Sequence, residues 1–161
     1  MPDDGASNPD EVLNNETLYR SIWLKPECFY FEEGTLHVAA QAFADSNKRP
    51  SLYREHLCDA PPYSDPPRIG SDQAVVSLIA GKIREASPIL HQSEKKLVEE
   101  HVIDVKPDLS NGQHRAHCVV FSNPDFPNSN AFKKLKLRLA QLVERFDIEP
   151  KQEFIDTLPR L

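Results

Sequence analysis

Residues 128–146 of this 161-residue chain read NSNAFKKLKLRLAQLVERF, and apolar side chains recur there at steps of three and four residues. The apolar positions are Phe132, Leu135, Leu139, Leu142, Val143 and Phe146. The opposite positions are polar or basic: Lys134, Arg138, Gln141 and Arg145. The preceding residues 128–130 are of the types that favour a helix N-terminus. The segment therefore predicts an amphipathic helix with an apolar stripe facing the core and a basic stripe facing outward.

Short apolar runs before this helix predict strands. The runs end at prolines, or flank a glycine-containing loop at residues 32–34 and an Asn-Gly turn at residues 111–112. Both connections are typical of β-hairpins. The predicted strands cover residues 18–24, 28–31, 35–38, 101–106 and 116–121.

Two segments between these runs are harder to interpret from their sequence. Residues 73–85 favour a strand, because the run at residues 74–79 is β-branched and Gly81 weakens a helix, although Val75, Ile79, Ile83 and Ala86 also fit a helical spacing. Residues 51–57 predict a short helix, with Ser51 as the N-cap before a run of good helix formers.

Together these elements predict an α+β domain at residues 17–147. We expect a mainly antiparallel sheet of about five strands, with the C-terminal helix packed on one face. Residues 1–16 predict a flexible acidic arm, since they offer little to bury. Residues 148–161 form a tail in which Phe154, Ile155 and Leu158 either pack back on the domain or dock elsewhere.

Charge is distributed unevenly along the chain. The net charge of −6 argues against a protein that coats nucleic acid with its whole surface. Residues 1–16 hold five acidic and no basic residues, whereas residues 131–146 hold five basic residues and one acidic residue. The acidic arm and the basic helix either pair with each other or meet separate partners. The predicted partner-binding residues are Lys133, Lys134, Arg138 and Arg145.

Composition and motifs exclude several classes of protein. No apolar stretch approaches the roughly 18 residues that a membrane helix needs, and residues 1–16 do not read as a secretion signal. Three widely spaced cysteines predict reduced thiols and a cytoplasmic location. The common nucleotide, hydrolase and metal motifs are missing from the sequence, so no cofactor and no metal are predicted. The residues weighed as zinc ligands are Cys28, His56, Cys58, His117 and Cys118.

A few polar residues in apolar surroundings are candidates for chemistry. His117, on a predicted strand, has the side-chain chemistry of a general base. Asp104 on the neighbouring strand would orient its ring. Ser51 or Cys58 would be the nucleophile. Arginines that lie among apolar residues either bind a ligand phosphate or form structural ion pairs. These arginines are Arg20, Arg54 and Arg84.

Several short strings resemble a set of small prokaryotic proteins. In these proteins an AF-D segment precedes a PS-x-x-R segment, and a later AH pair precedes a closing helix; here the strings stand at residues 42–45, 50–54 and 116–117. The resemblance covers about residues 18–143 and implies a cytoplasmic bacterial or archaeal protein. If the shared polar positions form one site, its members are Arg20, Ser51, Arg54 and His117.

The leading functional hypothesis is an intracellular interaction or accessory module in a defence or toxin–antitoxin setting. It would bind another protein through the basic helix face or through the proline-rich segment at residues 59–70. Weak nucleic-acid binding by the basic face is a lesser expectation. The alternative is an enzyme or binding domain for a phosphate-bearing substrate, such as a nucleotide or nucleic acid, that uses Arg20, Arg54 and His117.

Overall fold

The computed structural model describes residues 11–59, 72–93, 95 and 97–160. Five strands precede the first α-helix in these residues. The strands and α-helices are β1 (Thr17–Trp23), β2 (Phe29–Glu32), β3 (Thr35–Val38), β4 (Ser51–Arg54), β5 (Gln73–Ile79), α1 (Ala80–Arg84), β6 (Ile89–Gln92), β7 (Val98–Pro107), β8 (His117–Asn123), α2 (Ser129–Gln141), β9 (Arg145–Ile148) and α3 (Gln152–Ile155).

One antiparallel sheet organises the fold. Within the described residues it has seven strands in the order β6-β7-β8-β4-β1-β5-β9, and β2 and β3 form a separate two-stranded hairpin. The α+β class and the antiparallel pairing are therefore confirmed. The predicted number of about five strands is wrong, because β4, β6 and β9 were not recognised as strands.

Helix α2 covers one face of this sheet and starts where the sequence predicts. The Asn128 side chain accepts a hydrogen bond of 2.9 Å from the N–H of Ala131, which caps the first turn. Leu135 and Leu139 are fully buried in the main core. The helix ends at Gln141, and Arg145 to Ile148 form β9 instead of a further helical turn.

This earlier end of the helix corrects the prediction for residues 142–146. Phe146 pairs with Val76 of β5, and the N–H of Glu144 bonds the carbonyl of Ser77 at 2.8 Å. Leu142, Val143 and Phe146 still pack against the core. The apolar spacing therefore identified residues that pack on the core but predicted the wrong backbone conformation for them. Pairing with β5 supplies the main-chain hydrogen bonds that another helical turn would have made.

Residues 51–54 are a strand, and the predicted helix there is wrong. β4 lies between β1 and β8 in the sheet, and its residues alternate between half-buried and buried. The Ser51 hydroxyl lies 3.0 Å from Nε2 of His117, and the N-cap position of the 3-10 turn that follows is Arg54, so Ser51 does not cap a helix. A 3-10 turn at Glu55–Leu57 is the only helical part of the predicted segment. Residues 73–84 contain both of the alternatives weighed for them, β5 and then α1.

The described residues near both ends of the chain pack on the domain, which for the C-terminal tail is one of the two predicted alternatives. Val12 and Glu16 are buried, which corrects the expectation that residues 11–16 belong to a flexible arm. Residues 1–10 lie outside the described part of the chain. In the tail, Phe154 and Leu158 are buried, and the Phe154 ring meets the Phe29 ring edge-on at 5.4 Å. The tail therefore packs back on the domain.

Candidate functional site

The structure brings two of the predicted site residues together, Ser51 at the start of β4 and His117 at the start of β8. The Ser51 Oγ lies 3.0 Å from Nε2 of His117, and Nδ1 of His117 lies 2.6 Å from the main-chain carbonyl of Asp108. A carbonyl only accepts hydrogen bonds, so Nδ1 carries a proton. In the neutral ring Nε2 is then an acceptor, to which the Ser51 hydroxyl donates.

Arg20 and Arg54 do not join this pair. Ser51 and Tyr53 share one face of the sheet with His117, since directly opposite residues of antiparallel strands point the same way. Arg54 lies opposite Leu18, and both arginines therefore belong to the other face, which forms the main core. The expectation that all four residues converge in one cleft is corrected by this register.

The guanidinium groups of these arginines are engaged in ion pairs inside the molecule. Arg54, 2% exposed, forms two hydrogen bonds of 2.7 and 2.8 Å with the Glu16 carboxylate. Arg20 bonds Asp45 at 2.7 Å and the carbonyls of Ala42 and Ser51. These contacts match the structural ion pairs that the sequence offered as the alternative to a phosphate site.

Asp104 is not the partner of His117. Asp104 is on β7, opposite Phe121 of β8, and its carboxylate accepts a 2.6 Å hydrogen bond from Nε of Arg84. Arg84 also reaches the carbonyls of Val12 and Val105, so it ties the N-terminal segment to β7. The group that orients His117 is the carbonyl of Asp108, which sequence reasoning missed because a main-chain carbonyl leaves no signal in residue type.

The predicted partner-binding residues differ in their surroundings. Lys133 and Arg138 are exposed on α2 and form no ion pair with the described residues. Lys134 is also exposed, and its Nζ donates to the carbonyl of Leu90 at 2.7 Å, which leaves its charge unneutralised. Arg145 is on β9, where it pairs with Asp147 at 3.0 Å. The cationic surface is therefore Lys133, Lys134 and Arg138, without Arg145.

Two clefts run beside this surface, between α2 and the edge strand β6. The first has a volume of about 380 Å³ and lies among Pro88, Leu90, Lys134, Leu137 and Arg138. The second, of about 740 Å³, follows β6 onward from His91 toward the start of α2 at Asn128. We call the two together the α2–β6 groove.

Three of the residues that line this groove are large, apolar and exposed. Leu97 is 65% exposed, Leu137 is 53% exposed and Leu90 is 45% exposed. Leu137 was detectable in the sequence, because it falls between Lys134 and Arg138 at helical steps and so interrupts the basic stripe. Leu90 was not detectable, since the four residues of β6 are too few to show a convincing alternation.

The residues weighed as zinc ligands do not assemble into a metal site. Among the described residues, no three His, Cys, Asp or Glu side chains are grouped so that they could hold a metal ion. All three cysteines are buried, free thiols. Burial raises the pKa of the Cys118 thiol to about 12. Cys118 therefore behaves as a small apolar core residue.

Comparisons with known proteins supply no relative. The chain matches no protein-family model, no curated protein and no solved structure. The resemblance to small prokaryotic proteins thus stays a prediction. In the described part of the chain, the helices are all too short or too polar to cross a bilayer.

Proposed function

We propose that this chain is an interaction module that binds an acidic protein segment in the α2–β6 groove. The observation that carries the proposal is the pairing of unneutralised cations with exposed leucines at one place. Lys134 and Arg138 line the first cleft without an ion pair in the described part of the chain, and Leu137 lies beside Arg138 on the same helix. The proline-rich segment, the other predicted docking element, lies outside the described residues apart from Asp59.

The two kinds of side chain contribute differently to binding. Burying a leucine contributes about 1.5–3 kcal/mol; Leu97 and Leu137 line the groove, and the side chain of the exposed Leu90 lies on the other face of β6. The cations favour an acidic partner and speed its encounter, an effect that weakens as salt rises. An acidic segment with apolar residues would satisfy both features.

A protein partner is favoured over nucleic acid. Single-stranded nucleic acid is usually held by aromatic side chains that stack on the bases, and the exposed side of α2 carries none. Lys133, Lys134 and Arg138 would neutralise only a few phosphates. The net charge of −6 opposes binding of a polyanion elsewhere on the surface. Nucleic acid therefore serves as a competing probe in the experiment.

The test is fluorescence anisotropy with three labelled probes: a twelve-residue peptide of alternating Glu and Val, the same peptide with Lys in place of Glu, and a twelve-nucleotide single-stranded RNA. We expect the Glu peptide to bind most tightly, and less tightly as salt rises. The double variant Lys134→Glu/Arg138→Glu, which reverses both cations of the first cleft, should weaken its binding at least tenfold. The control Lys25→Glu/Lys151→Glu makes the same change in net charge away from the groove and should change binding less than twofold.

Two results would overturn the proposal. One is equal binding of the Glu and Lys peptides, which would show that the cations do not select the ligand. The other is tighter binding of the RNA that is lost in Lys134→Glu/Arg138→Glu, which would assign the surface to nucleic acid.

The contact between Ser51 and His117 favours a second candidate function, group transfer at Ser51. Nε2 of His117 is positioned to take the hydroxyl proton as Ser51 attacks an acyl or phosphoryl centre. Arg20 and Arg54 are not part of this candidate, because their guanidinium groups are bonded on the other face. A fluorophosphonate probe tests it: labelling of the wild type that is lost in Ser51→Ala and in His117→Gln would support it, and no labelling of the wild type would reject it.

A further inference from the structure

We infer that the acidic segment binds as an additional β-strand on the outer edge of β6. This inference rests on the proposed function and adds the mode of binding and the pattern of the ligand. β6 is an edge strand of the sheet in the described residues, with β7 as its neighbour. An edge strand presents unpaired main-chain N–H and C=O groups that an extended peptide can bond.

The hydrogen-bonding phase of β6 determines which groups face outward. The N–H of Ser93 bonds the carbonyl of Leu97 at 2.9 Å, one step beyond the Gln92–Val98 pair. Because bonded and non-bonded pairs alternate in an antiparallel ladder, Ile89 and His91 bond β7, whereas Leu90 and Gln92 direct their main-chain groups outward. The bond from Lys134 Nζ to the Leu90 carbonyl agrees with this phase.

Helix α2 forms the opposite wall of the first cleft. The two clefts follow one another along residues 88–92; Lys134, Leu137 and Arg138 line the first, whereas Asn130 is the α2 residue that lines the second. An added strand beside β6 would therefore have main-chain partners on one side and helix side chains on the other. The Lys134 ammonium bonds the outward-facing carbonyl of Leu90. Because this side chain is long and exposed, it can change conformation to bond a ligand carboxylate instead.

The positions of the side chains predict a ligand pattern with a period of two. Ile89 and His91 point toward the core side of the sheet, where α2 lies, and Leu90 points to the opposite face. Ligand residues on the α2 side would meet Lys134 and Arg138, which favours Asp or Glu there. Ligand residues on the other side would lie beside Leu90, which favours Val, Ile or Leu.

Charge also selects among the possible occupants of the groove. Lys134 and Arg138 face the first cleft with no acidic residue lining it, and in the second cleft Lys95 and Glu99 offset one another. A second copy that paired through β6 about a two-fold axis would bring the same cations together, which is unfavourable. A strand from an acidic partner meets no such repulsion.

The experiment uses two N-methylated versions of the alternating Glu-Val peptide, each methylated at every second amide, so that each blocks one edge of the extended peptide. We expect one version to lose at least tenfold in affinity and the other to bind within threefold of the parent. If both versions bind like the parent while Lys134→Glu/Arg138→Glu still weakens binding, strand addition is wrong and the proposed function stands. If the parent peptide itself does not bind, both fail.

A matched pair of protein variants tests the same edge from the other side. Gln92→Pro removes an outward N–H and leaves the bonds to β7 intact, so we expect unchanged thermal unfolding and at least tenfold weaker peptide binding. Gln92→Ala removes only the side chain and should bind within twofold of the wild type. Equal binding by Gln92→Pro and Gln92→Ala would overturn the inference.

Two further measurements test whether the edge of β6 is occupied by a second copy of the chain or by the chain's own acidic N-terminal segment. Light scattering after gel filtration should show a monomer; a dimer that Gln92→Pro dissociates would assign the edge to a second copy. Asp3→Lys/Asp4→Lys in the full chain should leave peptide affinity within twofold. A tenfold gain would show that the chain's own acidic segment competes for the groove, which would overturn assignment to a partner.

Discussion

Arg54 and Glu16 form a two-point ion pair inside the protein, at 2.7 and 2.8 Å between their nitrogen and oxygen atoms. Arg54 is on β4 and Glu16 immediately precedes β1, and the Arg54 guanidinium also bonds the carbonyl of Glu11. The pair therefore anchors the N-terminal segment to the middle of the sheet. Because both groups are buried, neither tolerates the loss of the other.

Breaking this ion pair should destabilise the protein strongly. We expect Glu16→Leu and Arg54→Met each to lower the free energy of unfolding by about 3–5 kcal/mol, since each leaves an uncompensated buried charge. The double variant Glu16→Leu/Arg54→Met should lose less than the sum of the two single losses. Urea denaturation measures all three. Additive losses would mean that the two side chains act independently.

The same pair predicts a dependence of stability on pH. Burial on its own favours the neutral carboxyl, but the hydrogen bonds from Arg54 and from the N–H of Leu13 outweigh it and lower the pKa of Glu16. A carboxyl whose pKa is lowered by folding stabilises the fold above its unfolded pKa, and this stabilisation is lost as pH falls through the folded pKa. We therefore expect the unfolding free energy to fall below about pH 4.

The Glu16→Gln variant is the control for this pH effect. Its unfolding free energy should fall less steeply with acid than that of the wild type, because the titrating group is gone. Denaturation series between pH 3 and pH 7 provide the comparison. Parallel curves would place the acid sensitivity elsewhere.

Core and surface leucines of α2 should respond differently to truncation. Leu139→Ala removes a fully buried side chain and should cost about 2–5 kcal/mol of unfolding free energy. Leu137→Ala, two positions away and 53% exposed, should change it by less than about 0.5 kcal/mol. Chemical denaturation distinguishes them. A large loss in Leu137→Ala would show that this residue belongs to the core and not to the groove.

The N-terminal cap of α2 gives a local prediction. Asn128→Ala removes the acceptor of the Ala131 N–H and should cost about 1 kcal/mol. Asn130→Ala alters an exposed residue of the same type in the first turn and should cost less. Thermal unfolding of both variants measures the difference. An equal loss in the two variants would argue against capping by Asn128.

The thiols should be protected in the native protein. Burial raises the pKa of Cys28, and that of Cys118 to about 12, so few thiolates form at pH 8. We expect iodoacetamide at pH 8 to leave Cys28 and Cys118 unmodified in the folded protein and to alkylate both in urea. Mass spectrometry of the intact chain and its peptides reads out the modification. Fast alkylation of native Cys118 would contradict its burial.

The sequence was informative where contacts are close along the chain. The cap at Asn128 and the steps from Phe132 through Leu139 were legible, because a helix bonds residues four apart. Ser51 misled the same reasoning: a serine before a helix-forming run favours a cap, but β1 and β8 on either side of residues 51–54 supplied sheet hydrogen bonds. Because β1 and β8 are distant in sequence from residues 51–54, no local pattern predicted this pairing.

The candidate site divides in the same way. The basic residues of α2 were identifiable from their spacing. For Arg20, Arg54 and Arg84 the sequence indicated two alternatives, a ligand phosphate or a structural ion pair, and did not decide between them. Local sequence thus determined the α+β class, the start of α2 and its two stripes. Only the tertiary structure decided that Ser51 meets His117 while Arg20 and Arg54 face the other way, and that Leu90 lies on an open edge beside α2. The physical reason is that the face a strand side chain occupies, and the edge a strand leaves unpaired, follow from register with distant strands.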